Sequence, residues 1–193
     1  MKKIIILFST LTILIAISCK KRSTTPDNPD VNSSLLDSTV ITPTASSSKQ
    51  ASIDVNKDGM SDFRISATND NGSLTTILLA DRSNTPVKFV IDDAEIGYAF
   101  GENALIDSTV IVPKPPKPHL QFGSEAITSF KSVSANLGHA GTGDFFVAFK
   151  IVIDDENHYG WLKLNVSADG TTLKLRSLGY NIKPEASLKA GEY

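Results

Sequence analysis

From Ala51 to the C-terminus, hydrophobic and polar residues alternate with a period of two rather than the 3.6 residues of a helix. This alternation predicts a domain built almost entirely of β-strands, because successive side chains of a strand point to opposite faces. Turn-forming Asn, Asp, Gly and Pro residues separate most of the alternating segments. The predicted strands span residues 62–68, 74–80, 87–91, 104–112, 126–131, 144–153, 159–166 and 171–180.

The last three predicted strands carry the clearest pattern. Apolar side chains occupy one face of each strand, and Asp169-Gly170 predicts the turn between the second and the third. On residues 144–153 that face consists of Phe145, Val147, Phe149, Ile151 and Ile153. The three strands form a meander whose apolar face needs a second sheet to cover it. The predicted fold class is therefore all-β, an antiparallel β-sandwich, with a β-barrel as the alternative.

The N-terminal residues follow a different pattern. Lys2 and Lys3 precede an almost unbroken apolar run over residues 4–17, and Ser18 precedes Cys19. This arrangement resembles the signal peptide of bacterial lipoproteins, in which a small residue precedes a lipidated cysteine. The resemblance implies a signal peptide over residues 1–18 and a membrane anchor through lipid on Cys19. A transmembrane helix is the alternative, but ~14 apolar residues fall short of the roughly 20 that span a bilayer.

Residues 19–48 are rich in Ser, Thr, Pro, Asp and Asn and contain few large apolar side chains. This composition predicts a flexible, disordered stalk, followed by one β domain over residues 49–193. One stretch, residues 35–43, is β-prone and ends at Pro43, which makes it a candidate first strand. Residues 20–22 are basic, and they either contact lipid phosphates beside the anchor or form a simple polar flank.

Charge and cysteine content narrow the classes of function. The formal net charge of the 193-residue chain is -2, without the basic excess of proteins that bind nucleic acid. Cys19 is the only cysteine, so no internal disulfide can form and stability has to come from a hydrophobic core, a metal or both. The expected localisation is a lipid-anchored position in the cell membrane, specifically the outer membrane, on its periplasmic or extracellular face. Some Bacteroidota lipoproteins carry an acidic tag after the cysteine that directs their export to the cell surface. Residues 20–22 are basic instead, so the tag is absent and the periplasmic face is favoured.

A candidate metal site lies directly before the first predicted strand of the domain. Asp54, Asn56 and Asp58 place oxygen-bearing side chains at every second position, and Gly59 follows them. A hard cation such as calcium requires this pattern from a short loop, in which the glycine permits a sharp turn. Further ligands are expected from the main-chain carbonyl of Met60 and, directly or through water, from the carboxylate of Asp62.

This loop, residues 54–62, resembles the calcium loops of FG-GAP, thrombospondin type 3 and dockerin-like repeats. It departs from the EF-hand at the twelfth position, where Ile65 replaces the bidentate glutamate, and no helical pattern flanks it. The resemblance implies one calcium ion that braces the fold rather than transmits a signal. The alternative is an Asp- and Asn-rich turn that binds no ion.

A second resemblance rests on the sequence His-Tyr-Gly-Trp-Leu-Lys-Leu over residues 158–164, on its distance from the Asp-rich loop, and on Leu-Lys-Ala-Gly over residues 188–191. These features resemble a family of secreted or anchored bacterial β domains that has no assigned activity. Tyr159 and Trp161 lie on one face of the predicted strand, opposite Leu162 and Leu164. The aromatic pair is therefore either a ligand surface that stacks on a sugar ring or a cap on the core.

Candidate catalytic groups are scattered along the chain. His119, His139 and His158 fall in three different predicted loops, without the spacing of zinc ligands, and no nucleophile elbow is present. We therefore expect no enzymatic activity.

The expected function is that of a lipid-anchored cell-envelope protein, a calcium-braced binding or structural module for envelope or protein partners. An accessory glycan-binding lipoprotein is the alternative. The sequence leaves the ligand and the oligomeric state open. Ser38 and Ser108 each follow an Asp and precede a Thr, which resembles the short O-glycosylation sequon of exported Bacteroidota proteins, and ordinary polar turns are the alternative.

Overall fold

The structure, a computed structural model, describes residues 28–44, 47–70, 73–80, 86–91, 99–108, 121–124, 126–131 and 143–193. The predicted signal peptide and Cys19 lie outside these ranges. Within them, no helix has the length and apolarity needed to cross a membrane. The described strands are β1 (Val31–Ile41), β2 (Ser48–Ile53), β3 (Phe63–Asp70), β4 (Ser73–Ala80), β5 (Val87–Ile91), β6 (Ala99–Phe100), β7 (Leu105–Ile106), β8 (Gln121–Ser124), β9 (Ala126–Lys131), β10 (Asp144–Ile153), β11 (Glu156–Val166), β12 (Leu173–Asn181) and β13 (Leu188–Lys189).

These strands form three antiparallel sheets. The large sheet has seven strands in the order β1-β12-β11-β10-β5-β8, with β6 also paired to β10. A four-stranded sheet has the order β2-β3-β4-β9, and β7 pairs with β13. The all-β prediction is confirmed, and the described strands do not close into a barrel.

The large sheet and the four-stranded sheet share one hydrophobic core, here called the inner core. The apolar face predicted for residues 144–153 is confirmed, because alternate side chains of β10 from Phe145 to Ile153 belong to or pack against this core. From the four-stranded sheet, Phe63 packs edge-on against Phe89 at 5.4 Å between ring centroids and lies 5.7 Å from Phe149. At about 25 cal/mol per Å² of buried apolar area, this shared core is the main source of stability.

The opposite face of the large sheet is also buried, beneath a second cluster called the outer core. The two-stranded sheet of β7 and β13, together with Ala190 and Tyr193, covers it. The buried members of the outer core are Val90, Phe100, Ile106, Phe146, Ala148, Tyr159, Trp161, Leu188 and Ala190. The central strands β10 and β11 are therefore apolar on both faces.

The first strand comes from the segment that composition assigned to the stalk. β1 pairs with β12 from Val31 opposite Asn181 to Ile41 opposite Leu173, with an irregularity between Leu35 and Thr39. The alternative interpretation of residues 35–43 as a first strand is confirmed, and residues 31–41 belong to the folded domain rather than to a disordered stalk. The predicted boundary at residue 49 is too late because pairing with β12 orders a polar segment that buries few apolar groups of its own.

Tight turns connect the central strands as the turn residues indicated. Asp154 and Asp155 both adopt positive φ, 52° and 65°, in the two-residue turn between β10 and β11. Asp70 pairs with Ser73 on either side of Asn71-Gly72, which itself lies outside the described residues. In the turn after β11, Gly170 has φ 67°. Of the strand predicted over 104–112, the described part contains only Leu105–Ile106.

Gly160 makes room for an aromatic ring at the centre of the large sheet. It lies opposite Phe149 in the β10–β11 pair. A Cβ atom on Gly160 would lie 2.3 Å from Cζ of Phe149 and 2.9 Å from the carbonyl oxygen of Gly179. Since one of these neighbours is backbone, the contact cannot be relieved by a rotamer change alone.

We therefore expect Gly160→Ala to lower the free energy of unfolding by about 1–3 kcal/mol, the usual cost of overpacking a core. Urea unfolding followed by tryptophan fluorescence measures the change. Gly101→Ala is the matched control, because a Cβ atom there meets nothing within 4 Å. Equal midpoints for Gly160→Ala and Gly101→Ala would contradict this account of the sheet.

Candidate functional site

The Asp-rich loop connects β2 to β3, and its first carboxylate organises the turn. The side chain of Asp54 accepts hydrogen bonds from the backbone amides of Lys57 at 2.7 Å and Gly59 at 2.8 Å. Lys57 and Gly59 both have positive φ, 63° and 91°, a region that glycine adopts without steric cost. The glycine at the sixth position of the loop thus has the conformation that the calcium-loop pattern predicts.

Asn56 and Asp58 continue the same arrangement. The side-chain oxygen of Asn56 accepts from the amide of Asp58 at 3.1 Å, and Asp58 accepts from the amide of Met60 at 2.8 Å. The side-chain amide of Asn56 also donates to the second oxygen of Asp58 at 3.2 Å. Side chains at alternate positions therefore turn back over the loop and satisfy its amides. The Met60 side chain is 49% exposed, and the ligand predicted from this residue is its main-chain carbonyl.

Asp62 has a different environment from the other acidic residues of the loop. Its side chain is fully buried, and one carboxylate oxygen accepts a hydrogen bond from the amide of Val55 at 2.7 Å. Its own amide donates to the carbonyl of Ile53 at 2.9 Å. Val55 and Phe63 are both members of the inner core. The residue predicted as the last calcium ligand therefore closes the base of the loop and joins it to the core.

The donor set of the loop suits a hard cation, since its side-chain ligands are carboxylate and amide oxygens. Each carboxylate oxygen that accepts one amide retains a second lone pair, so the described hydrogen bonds leave acceptor capacity at Asp54 and Asp58. In the described part of the chain, however, no three His, Cys, Asp or Glu side chains are grouped as metal ligands. Hydrogen bonds within the loop, most of them from backbone amides to side-chain oxygens, hold it in the described shape.

The aromatic pair is buried, which favours the cap on the core over the possible ligand surface. Tyr159 is 2% exposed and Trp161 is 0% exposed, and both belong to the outer core. Trp161 makes edge-on contacts with Phe146 at 5.6 Å and with Tyr193 at 5.4 Å. The prediction that this pair lies opposite Leu162 and Leu164 is correct, but a second layer covers the face. Neither ring is available to stack on a sugar.

The hydroxyl of Tyr159 makes polar contacts at the edge of the outer core. Its hydroxyl donates to a carboxylate oxygen of Glu185 at 2.6 Å, and Asn157 donates to the other oxygen at 2.5 Å. Burial raises the pKa of Tyr159 to about 12, and the hydrogen bond to Glu185 adds to the increase. The hydrogen bond from Tyr159 in turn lowers the pKa of Glu185. Glu185 was not identified from the sequence, because a partner 26 residues away carries no local signal.

The remaining candidates are not brought together by the described residues. His158 lies within β11 rather than in a loop, buried, with Nδ1 2.9 Å from the carbonyl oxygen of Asn181. The strand predicted to begin at Tyr159 begins instead at Glu156, so the turn before it is shorter than predicted. His119, His139 and Cys19 lie outside the described residues, as does the side chain of Ser38. Ser108 is exposed at the end of the described segment 99–108.

Comparison of the chain with protein-family models, with curated proteins and with solved structures found no match. The fold and the site geometry are therefore the basis for any functional assignment.

The hydrogen bond between Tyr159 and Glu185 predicts a specific loss of stability at alkaline pH. Below pH ~10 the tyrosine is protonated in both folded and unfolded chains. Between pH ~10 and about 12 the unfolded chain loses this proton and the folded chain keeps it, so the free energy of unfolding falls as pH rises. We expect the stability advantage over Tyr159→Phe to shrink across this interval in urea titrations. Parallel pH profiles for the two proteins would contradict the assignment.

Proposed function

We propose that this protein is a lipid-anchored component of a bacterial cell envelope, attached through Cys19, whose β-sandwich acts as a calcium-braced binding or structural module. Envelope molecules or other proteins are the proposed partners, and no catalytic role is proposed. The sandwich consists of the large sheet and the four-stranded sheet packed across the inner core. The outer membrane, on its periplasmic face, is the proposed location.

The anchor is supported by the N-terminal sequence together with the point at which the fold begins. Basic residues, an apolar run and Ser18 precede Cys19. Nine residues, 19–27, separate the start of the proposed mature chain from Asn28, whose backbone amide donates to the carbonyl of Tyr193. The first described residue of the domain is thus only nine positions along the chain from the proposed anchor.

Calcium bracing is supported by the loop between β2 and β3. Asp54 and Asp58 would contribute carboxylate oxygens, Asn56 an amide oxygen and Met60 its main-chain carbonyl. Bound calcium would neutralise neighbouring carboxylates at the edge of the core. Asp62, which already holds the loop base through Val55, would act at most through its remaining acceptor capacity.

The glycan-binding alternative depended on exposed rings at Tyr159 and Trp161. Because both are buried in the outer core, no described observation favours that alternative. The module is therefore proposed to act through loops and sheet edges.

The anchor is tested by following fatty-acid incorporation in a bacterial host that processes lipoproteins. We expect the wild-type chain to incorporate labelled fatty acid and to fractionate with membranes, because two or more acyl chains give stable attachment. Cys19→Ser should lose both the label and the membrane fraction, whereas Ser47→Cys, which adds a thiol in the folded domain, should leave both unchanged. Full labelling of Cys19→Ser would refute the proposed anchor.

The calcium loop is tested by thermal and urea unfolding with calcium and with chelator. At calcium 100-fold above its Kd, we expect stabilisation by about 2.7 kcal/mol, abolished by Asp54→Ala and Asp58→Ala. Asp62→Ala should instead cost about 1.5–3 kcal/mol even in chelator, because the change leaves the buried Val55 amide without its charged acceptor. A melting temperature of the wild-type protein that is the same with calcium and with chelator would refute the proposed calcium site and leave the loop as a structural turn.

A further inference from the structure

The large sheet has two ends separated by the length of its strands. At the near end, β1 begins at Val31 and the Asp154–Asp155 turn joins β10 to β11. At the far end, β1 finishes at Ile41 and the turn over residues 167–172 joins β11 to β12. β11 has 11 residues, so at ~3.3 Å per residue the ends are roughly 36 Å apart.

The chain is firmly attached where it joins the near end. The side chain of Asn28 donates to the carboxylate of Glu192 at 3.0 Å, in addition to the backbone bond from Asn28 to Tyr193. Asp30 forms an ion pair with Lys183 at 2.7 Å, and its carbonyl accepts from the amide of Ile182, also at 2.7 Å. These contacts fix the position of Asn28, the residue through which the preceding chain joins the domain.

The Asp-rich loop lies at the same end of the core. Phe63, which directly follows this loop, packs on Phe89 and Phe149. Cross-strand pairing places Phe89, Phe149, Gly160, Tyr180 and Asn32 in one continuous row of the large sheet. That row is one residue pair from the start of β1 at Val31 and far from its end at Ile41. β1 ends at Ile41, at the far end, and β2 begins at Ser48 beside it, so β2 runs back towards the near end and leads into the loop opposite Phe63. The loop therefore projects from the near end.

A lipid on Cys19 would hold this end close to the membrane. Nine residues reach at most ~30 Å, whatever conformation they adopt. The far end lies roughly a further 36 Å along the strands. We infer that the near end and the Asp-rich loop face the lipid surface, while the turn over residues 167–172 faces away from it. This orientation rests on the proposed anchor at Cys19.

In this orientation the two ends of the domain differ in which molecules can reach them. The near end, which carries the loop over residues 54–62 and the Asp154–Asp155 turn, is the side that meets lipid headgroups. The far end, which presents the hydroxyls of Thr42 and Thr172 3.3 Å apart and the exposed side chains of Ala168 and Asp169, is the side open to large partners.

The test measures fluorescence quenching of the full, lipidated chain in vesicles of phosphatidylethanolamine and phosphatidylglycerol that contain a lipid with a nitroxide on its headgroup. Because Cys19 is acylated, one added cysteine is the only free thiol and takes the fluorophore. Met60→Cys and Glu156→Cys report on exposed sites of the near end, and Ala168→Cys reports on an exposed site of the far end. Each label is also measured on the Cys19→Ser chain, which provides the unanchored background.

We expect quenching at Met60 and Glu156, and quenching at Ala168 no greater than the unanchored background. A flexible Gly/Ser insertion of about 20 residues after Asp27 should remove the difference by lengthening the tether. Equal or stronger quenching at Ala168 on chains that float with the vesicles would overturn the orientation and leave the anchor intact. Chains that fail to float with the vesicles would instead overturn the anchor, and with it the orientation.

Discussion

The burial of both faces of the large sheet is the constraint on which the rest of the structure depends. β10 and β11 are apolar on each face, so one layer cannot cover them. The four-stranded sheet covers the inner face, and β7, β13 and Tyr193 cover the outer face. This requirement explains why segments as distant as residues 99–106 and 188–193 converge on the same strands.

The same constraint determines which aromatic residues remain available for binding. Tyr159 and Trp161 are residue types that can form a ligand-binding surface. On this sheet, however, they are the largest fully buried side chains among the described residues. The polar atoms of the two side chains differ in their hydrogen bonding. The Tyr159 hydroxyl reaches Glu185 at the edge of the outer core, whereas the indole nitrogen of Trp161 has no hydrogen-bond partner among the described residues. The buried Trp161 ring is held by packing against Phe146 and Tyr193 instead.

The Asp-rich loop combines two roles that its composition alone does not separate. Asp62 connects the loop to the inner core, so it contributes to folding with or without a cation. Asp54, Asn56 and Asp58 shape the exposed part by accepting backbone amides. Under the proposed function, calcium would act on a loop that is already organised and would add stability rather than create the turn. A single pre-shaped loop at the edge of a rigid core fits a bracing role better than a switch.

What the sequence determined by itself was the local structure. The period of two predicted β10, β11 and β12 and their apolar faces, because the side chains of a strand alternate between its two faces. The Asp-Gly and Asn-Gly pairs predicted turns, because turn conformations depend on neighbouring residues. The Asp-rich pattern likewise located the loop and its positive-φ glycine.

Only the tertiary structure decided which faces are covered and which edges are paired. It recruited the polar segment Val31–Ile41 as β1, buried Tyr159 and Trp161, and directed Asp62 to the amide of Val55. These outcomes could not be predicted from local patterns, because each depends on a backbone or side chain that the fold brings to that position. An edge strand is chosen by the hydrogen bonds that β12 leaves open, and a strand face becomes core only when another segment packs on it.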